Sequence, residues 1–230
     1  MTSIATWNLH HMGREARIPP EVVAVIERVR PDVLVLTEYV DRGKRAHFRA
    51  ELDGIGYRQP KCSGRGREPR QNQVLIASRV EQVAGTLPPP NVDEAAATNF
   101  LHQCFSSLDL EVVGFRVPHY QSEKPVQPEN LVKYWREFTE MALGLAGHKV
   151  VFIGDFNVGI KNVDVPGQKA LRKVVKDGYR MCAEEGALDR ALVSPKLRLR
   201  SFSVIEASGE HRLTGKGGLS DHPMLVVEVE

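Results

Sequence analysis

Three cysteines in 230 residues, Cys62, Cys104 and Cys182, are odd in number, widely separated and without any CxxC spacing. Their spacing suggests neither a disulfide framework nor a zinc site. No apolar run approaches the length of a membrane span, so no membrane association is expected. The opening MTSIATWNLHH lacks a basic segment followed by a long apolar stretch, so it gives no sign of a secretory signal, and a cytoplasmic location is the expectation. Charge of one sign is also missing. Lys plus Arg number 31 against 29 Asp plus Glu, for a net charge of +2. That balance argues against a histone-like protein held to nucleic acid by bulk charge, but permits a local basic surface. What is present, 42% hydrophobic and 26% charged residues, is the composition of a globular chain. At this length folding buries roughly 70% of the surface the unfolded chain exposes. One domain spanning residues 1–230, and a monomer, are the expectations.

The chain begins strand, helix, strand. Ser3–Trp7 is β-like, and Pro19 and Pro20 open a helix with Val22, Val25, Ile26 and Val29 on one face, closed by Pro31. Val33–Leu36 is a continuous apolar run, as in a strand buried on both faces. Further strands are expected at Gln73–Ala77, Glu81–Thr86, His102–Phe105, Leu110–Val117, Lys149–Ile153, Leu188–Val193, Ser201–Ile205 and Met224–Val229. Helical spacing marks one long helix through Leu131, Trp135, Phe138, Ala142 and Leu145. It marks a second through Leu171, Val174, Gly178 and Met181. Strands with helices at intervals imply an α/β arrangement. Arg58–Gln73, RQPKCSGRGREPRQNQ, is basic, contains Gly and Pro, lacks apolar periodicity, and reads as an exposed loop.

Polar residues stand at or near the ends of strand-like runs, where sites of α/β sheets form. They are Asn8 after IATW, Glu38 after VLVLT, Arg116 to His119 after VVGF, Asp155 and Asn157 after VVFIG, and Asp221 with His222 after GGLS. Asp189, opening DRALVSP, is a sixth. Singly each has a bland reading as a turn or capping residue. Together they supply a metal carboxylate, a base, amide donors and an imidazole.

In their order, TWNLH, PDVLVLTEY, VVGFRVPH, FIGDFN, LDRALVSP and LSDHP, the chain resembles the endonuclease/exonuclease/phosphatase superfamily, which includes DNase I and exonuclease III-like AP endonucleases. The resemblance spans Thr6 to Pro223. It implies a four-layered α/β sandwich, with two mixed sheets face to face, helices outside, and a site at one end. It further implies Glu38 as ligand of a hard divalent cation, Mg2+ or Mn2+, which takes few carboxylate oxygens beside water and phosphate. Asn8 would orient the metal and phosphate, Asp155 would position or deprotonate the attacking water, and Asn157 would donate to the phosphate. His222 would stand at the scissile phosphate, oriented by Asp189, with Asp221 as a further metal contact.

The sequence departs from the family pattern in two places. Arg116 stands where a second histidine, or a tyrosine, is expected. It stays protonated and cannot be a general acid, but can clamp a phosphate oxygen, with His119 three residues later as a substitute acid. Ala187 and Leu188 precede Asp189 where an arginine often stands, and Arg190 replaces an aromatic. The reading that follows is a metal-dependent phosphoesterase acting on DNA or RNA. The alternatives are a phosphatase or phosphodiesterase for small molecules or lipid headgroups, since one fold serves many substrates, and an inactive phosphate-binding module. For nucleic acid, Arg65, Arg67 and Arg70, with Arg58 and Lys61, would support the backbone, and Lys216 would meet it from the other side.

Overall fold

The computed structural model describes residues 1–10, 17–41, 45–64, 71–90, 94–118, 121–122, 124–125, 128–158 and 165–230. Its first half runs β1 (Thr2–Asn8), α1 (Pro20–Val29), β2 (Val33–Tyr39), α2 (Arg45–Gly54), β3 (Arg58–Cys62), β4 (Gln73–Ser78) and β5 (Val83–Ala84). There follow α3 (Glu94–Thr98), β6 (Phe100–Phe105), β7 (Leu110–Arg116), β8 (Gln121–Ser122), β9 (Lys124–Pro125) and α4 (Pro128–Gly144). The second half has β10 (Val150–Asp155), α5 (Pro166–Lys176), β11 (Arg180–Cys182) and β12 (Asp189–Val193). It closes with β13 (Leu199–Ile205), β14 (Ala207–Ser208), β15 (His211–Arg212) and β16 (Met224–Val229).

Two six-stranded mixed sheets form, in the orders β13-β16-β1-β2-β4-β3 and β11-β12-β10-β7-β6-β5. Each holds one parallel pair at its centre, β1 with β2 and β7 with β10, flanked by antiparallel neighbours. The period of two along a strand explains the layering. In β2 every residue is buried: Val33 and Val35 join Ile4, Val74 and Ile76 against Val112, Val151 and Ile153 of the other sheet. Leu34 and Leu36 point the other way, onto Val22 and Ile26 of α1 and Phe48 and Leu52 of α2. On the far side Val113, Phe115 and Phe152 meet Trp135 and Phe138 of α4 and Leu171 and Val174 of α5. Each such side chain contributes about 1.5–3 kcal/mol by burial. The result is the expected four-layered α/β sandwich.

Three local expectations need correction, and one element was not expected. Arg58–Cys62 is not loop but edge strand β3, with Lys61 opposite Ile76 and Cys62 opposite Leu75. An edge strand pairs on one side only and tolerates cations and Pro60. The helix expected through Met181 ends at Lys176. Gly178, with φ +104, reverses the chain, and Arg180–Cys182 pairs with β12. Of the strand expected over Glu81–Thr86 only Val83–Ala84 pairs, against Cys104 and Gln103. Helix α2 was not signalled, because charged residues surround its two apolar anchors, Phe48 and Leu52.

Candidate active site

Strand register gathers the polar residues at one end of the sandwich. Asn8 ends β1 opposite Thr37, so Glu38 follows one residue further along β2. In the other sheet Asp155 ends β10 opposite both Arg116 of β7 and Asp189 of β12. The segment before β16 is sewn to β1: Trp7 Nε1 donates to the His222 carbonyl (3.0 Å), and Ser220 Oγ to the Asn8 carbonyl (2.7 Å). Ser220 Oγ also receives the His222 backbone N–H at 3.1 Å.

The backbone bends where these side chains must turn inward. Glu38 has φ +55, at an irregularity in the β2/β4 pairing between Leu36 and Tyr39. Asn157 has φ +49, which asparagine tolerates better than most residues. Left-handed glutamate is uncommon, and such strain concentrates where the surroundings hold a side chain in place. Gly154 is required for another reason. A Cβ there would lie 1.9 Å from the Phe115 carbonyl oxygen, so only glycine lets β10 approach β7 just before Asp155.

Asp155 is held from three sides. Its Oδ2 accepts from Asn8 Nδ2 at 3.0 Å, and its Oδ1 from the Asn157 backbone N–H at 2.9 Å. Arg116 Nε lies 3.5 Å from Oδ2 and 2.9 Å from Glu38 Oε1, bridging carboxylates of the two sheets. His222 Nδ1 and Asp189 Oδ2 form a very short hydrogen bond. Asp189 Oδ1 accepts no hydrogen bond among the described residues. Asp221 Oδ1 lies 3.7 Å from His222 Nε2 and 3.0 Å from His10 Nδ1.

Electrostatics follow from burial. Glu38, Asp155 and Asp189 are 5%, 1% and 4% exposed. Burial raises the Asp155 pKa, with Arg116 pulling the other way. Burial also raises that of Asp189, against the hydrogen bond from His222. For His222, burial opposes the charged form, but Asp189 and the neighbouring carboxylates outweigh it and push the pKa up to about 9. Three buried carboxylates, Glu38, Asp155 and Asp189, thus stand among cationic groups: Arg116 and imidazolium His222 in contact with them, and buried Arg190 acting on Asp155. The carboxylate oxygens of this cluster are the ligand type that suits a hard divalent cation.

Most sequence candidates meet here, with differences. Asn8, Glu38, Asp155, Asp189 and His222 converge as one cluster. Arg116 stands at the cluster with its Nε paired to Glu38 and Asp155, a counter-charge to both carboxylates. Asn157 already gives one amide hydrogen to the Val117 carbonyl at 2.6 Å, leaving one to offer. Asp221 lies beside His10 and His222. Asn8 Oδ1 accepts the His10 N–H at 2.8 Å. Lys216 is exposed on the Gly215–Gly218 turn that leads into Ser220. His119, Arg65, Arg67 and Arg70 lie outside the described residues. Three contributors escaped the sequence reading. His10 and Ser220 sit beside motif residues, a signal that was available. Arg190, which reaches the Val158 and Ala187 carbonyls, is identified only by the fold.

Known proteins share this architecture. An AP endonuclease from Archaeoglobus fulgidus superposes with a TM-score of 0.75 at 18% identity, over 100% of both chains. A 3′ phosphatase from Neisseria, solved with its product DNA hairpin, gives 0.69 at 19% identity, over 100% of both. AP endonuclease LMAP from Leishmania major gives 0.71 at 16%, over 98% of this chain and 86% of that one. At such identities the likeness concerns the fold. No curated protein sequence matches. The model of the Endonuclease/Exonuclease/phosphatase family matches residues 5–222, nearly the whole chain, and the protein belongs to that family of phosphoesterases.

Proposed function

We propose that the protein is a metal-dependent phosphodiesterase that cleaves nucleic acid, with DNA the first substrate to test. The observation that carries this reading is the opposition of two units across the sandwich end. One is Asp155, steadied by Asn8 and Asn157. The other is His222, paired to Asp189. Asp155, its pKa raised by burial, is suited to take a proton from an attacking water near neutral pH. His222, held protonated by its carboxylate partner, presents Nε2 to the charge that develops on the phosphoryl oxygens. Asn157 offers its remaining amide hydrogen to the same oxygens. Water attacks phosphorus in line, its proton passes to Asp155, and the bond to the leaving oxygen breaks, that oxygen taking a proton from solvent. Glu38, with Asp155 beside it, would hold Mg2+ or Mn2+, whose chemistry would be to neutralise the phosphate.

Nucleic acid is favoured over a small phosphoester by two supports. Relatives of the same fold include AP endonucleases and a phosphatase bound to DNA. In addition, the cationic segment around Arg65, Arg67 and Arg70 departs from Cys62 and returns at Gln73. Gln73 pairs with Tyr39, next to Glu38. The test is a panel of duplex, single-stranded and abasic DNA, RNA and small phosphoesters, with Mg2+ or Mn2+. Turnover of nucleic acid is expected, with a salt slope of log affinity that falls by nearly two units in Arg65→Ala/Arg67→Ala, at about 0.9 per phosphate contact. Turnover confined to small phosphoesters, with no salt slope, would defeat the proposal.

A further inference from the structure

We propose that His102, Cys104, Glu111 and His148 form a zinc-binding site at the end of the second sheet remote from the catalytic cluster. The spacing of cysteines carries no such signal, because the ligands meet across strands. His102 and Cys104 are two residues apart on β6 and so share a face. Cys104 stands directly opposite Glu111 of β7, and His102 opposite Val113, whose side chain packs toward the helices. The fourth residue arrives from the α4–β10 connection, where the Lys149 carbonyl accepts the Glu111 N–H at 2.8 Å. Five residue steps of β7 separate Glu111 from Arg116, about 17 Å of extended strand.

Three of the ligand atoms already cluster, and His148, joined to them through the other oxygen of Glu111, would move in as the fourth. His102 Nε2 lies 3.0 Å from Glu111 Oε2 and 3.8 Å from Cys104 Sγ, and His148 Nδ1 lies 2.8 Å from Glu111 Oε1. One ligand atom each from His102, Cys104 and Glu111 falls within 4.8 Å of the others. Zinc bonds of about 2.0–2.1 Å to nitrogen or oxygen and 2.3 Å to sulfur imply ligand edges of roughly 3.3 and 3.6 Å. Two neutral imidazoles, a thiolate and a carboxylate balance the two charges of the ion. The mixed nitrogen, sulfur and oxygen set selects zinc over the hard cations suited to the catalytic carboxylates. In the metal-free state the Leu87 N–H donates to His102 Nδ1 at 3.3 Å, which leaves the ring proton on Nε2. Binding moves that proton to Nδ1, turns the Leu87 amide away, and releases the thiol proton of Cys104 to solvent. The bound ion would tie β6, β7 and the α4–β10 connection together.

The test is titration of metal-stripped protein with Co2+ and then Zn2+. One equivalent of Co2+ should produce a thiolate-to-metal charge-transfer band, bleached by Zn2+. The catalytic cluster holds no thiol, so it cannot give this signal. The band should vanish in Cys104→Ser and persist in Cys62→Ser. His148→Ala, at a position whose side chain is 54% exposed, should fold normally. Losing a ligand should weaken Zn2+ by at least the roughly 10–100-fold that loss of an outer-shell partner costs. A folded wild type without the band, a band that survives Cys104→Ser, or unchanged Zn2+ affinity in His148→Ala would each overturn the assignment. They would leave a hydrogen-bonded His–Glu–His network beside a half-buried thiol.

Discussion

Replacing Arg116 by methionine should turn a protein that balances its buried carboxylates with its own cation into one that relies on an added cation. Arg116 Nε lies 2.9 Å from Glu38 and 3.5 Å from Asp155, and the three side chains are 11%, 7% and 2% exposed. Removing one partner from so buried a group leaves uncompensated charge, at about 3–5 kcal/mol. For a chain of this size 1 kcal/mol corresponds to about 2–4 °C in Tm, so a fall of roughly 6–20 °C is expected in chelator. Metal at 100 times its Kd restores about 2.7 kcal/mol, so the deficit should shrink sharply in Mg2+ or Mn2+. The deficit should also grow as pH rises through the Asp155 pKa, since burial penalises only its ionised form. Arg116→Lys keeps the charge with a single donor group and should lose less. Thermal melts of the three proteins, with chelator and with metal, measure all of this. A methionine variant that melts within about 2 °C of wild type in chelator would refute the counter-charge argument, being far below the loss expected of a buried pair. A deficit that metal leaves untouched would refute the link between these carboxylates and a cation.

Asp155→Asn and His222→Ala should each lower kcat by about 10²–10⁴-fold with little change in substrate affinity, measured by single-turnover kinetics and direct binding. The His222 pKa is raised in the folded state, so the stability its charge gains from the neighbouring carboxylates is lost as pH rises through about 9. Melting curves against pH should show that loss in wild type and not in Asp189→Asn. Gly154→Ala would set a methyl 1.9 Å from the Phe115 carbonyl oxygen. Its melt should fall by more than the 1–3 kcal/mol typical of overpacking, roughly, because backbone cannot yield as a side chain does.

How much of this was legible in the sequence follows the strength of the local signal. The apolar runs of β2, β10 and β16 announced strands because both faces of a central strand must be buried. Edge strand β3 reads as loop in the sequence because its charges and Pro60 suit an edge and carry no alternation. The second helix was drawn too far because Gly178 and Met181 continue the helical spacing, although glycine at φ +104 ends it. In the site, each motif residue was visible at the end of a hydrophobic run, and register then brought Asn8, Asp155, Asp189 and His222 together. Arg116 makes a contact that the sequence does not show. Its partner Glu38 belongs to the other sheet, and no spacing along the chain reports a contact between sheets. The His102, Cys104, Glu111 and His148 cluster escaped likewise, because cross-strand pairing, not sequence distance, assembles it.

The most direct test of the central claim is cleavage of end-labelled DNA oligonucleotides, duplex, single-stranded and abasic, by wild type and Glu38→Gln across a Mg2+ titration. The account predicts cleavage by wild type that stops in excess chelator and returns with metal. In Glu38→Gln the Mg2+ needed for half-maximal rate should rise, because an anionic oxygen ligand has been replaced by a neutral amide. Equal turnover in chelator, or a Glu38→Gln variant with the metal dependence of wild type, would contradict it.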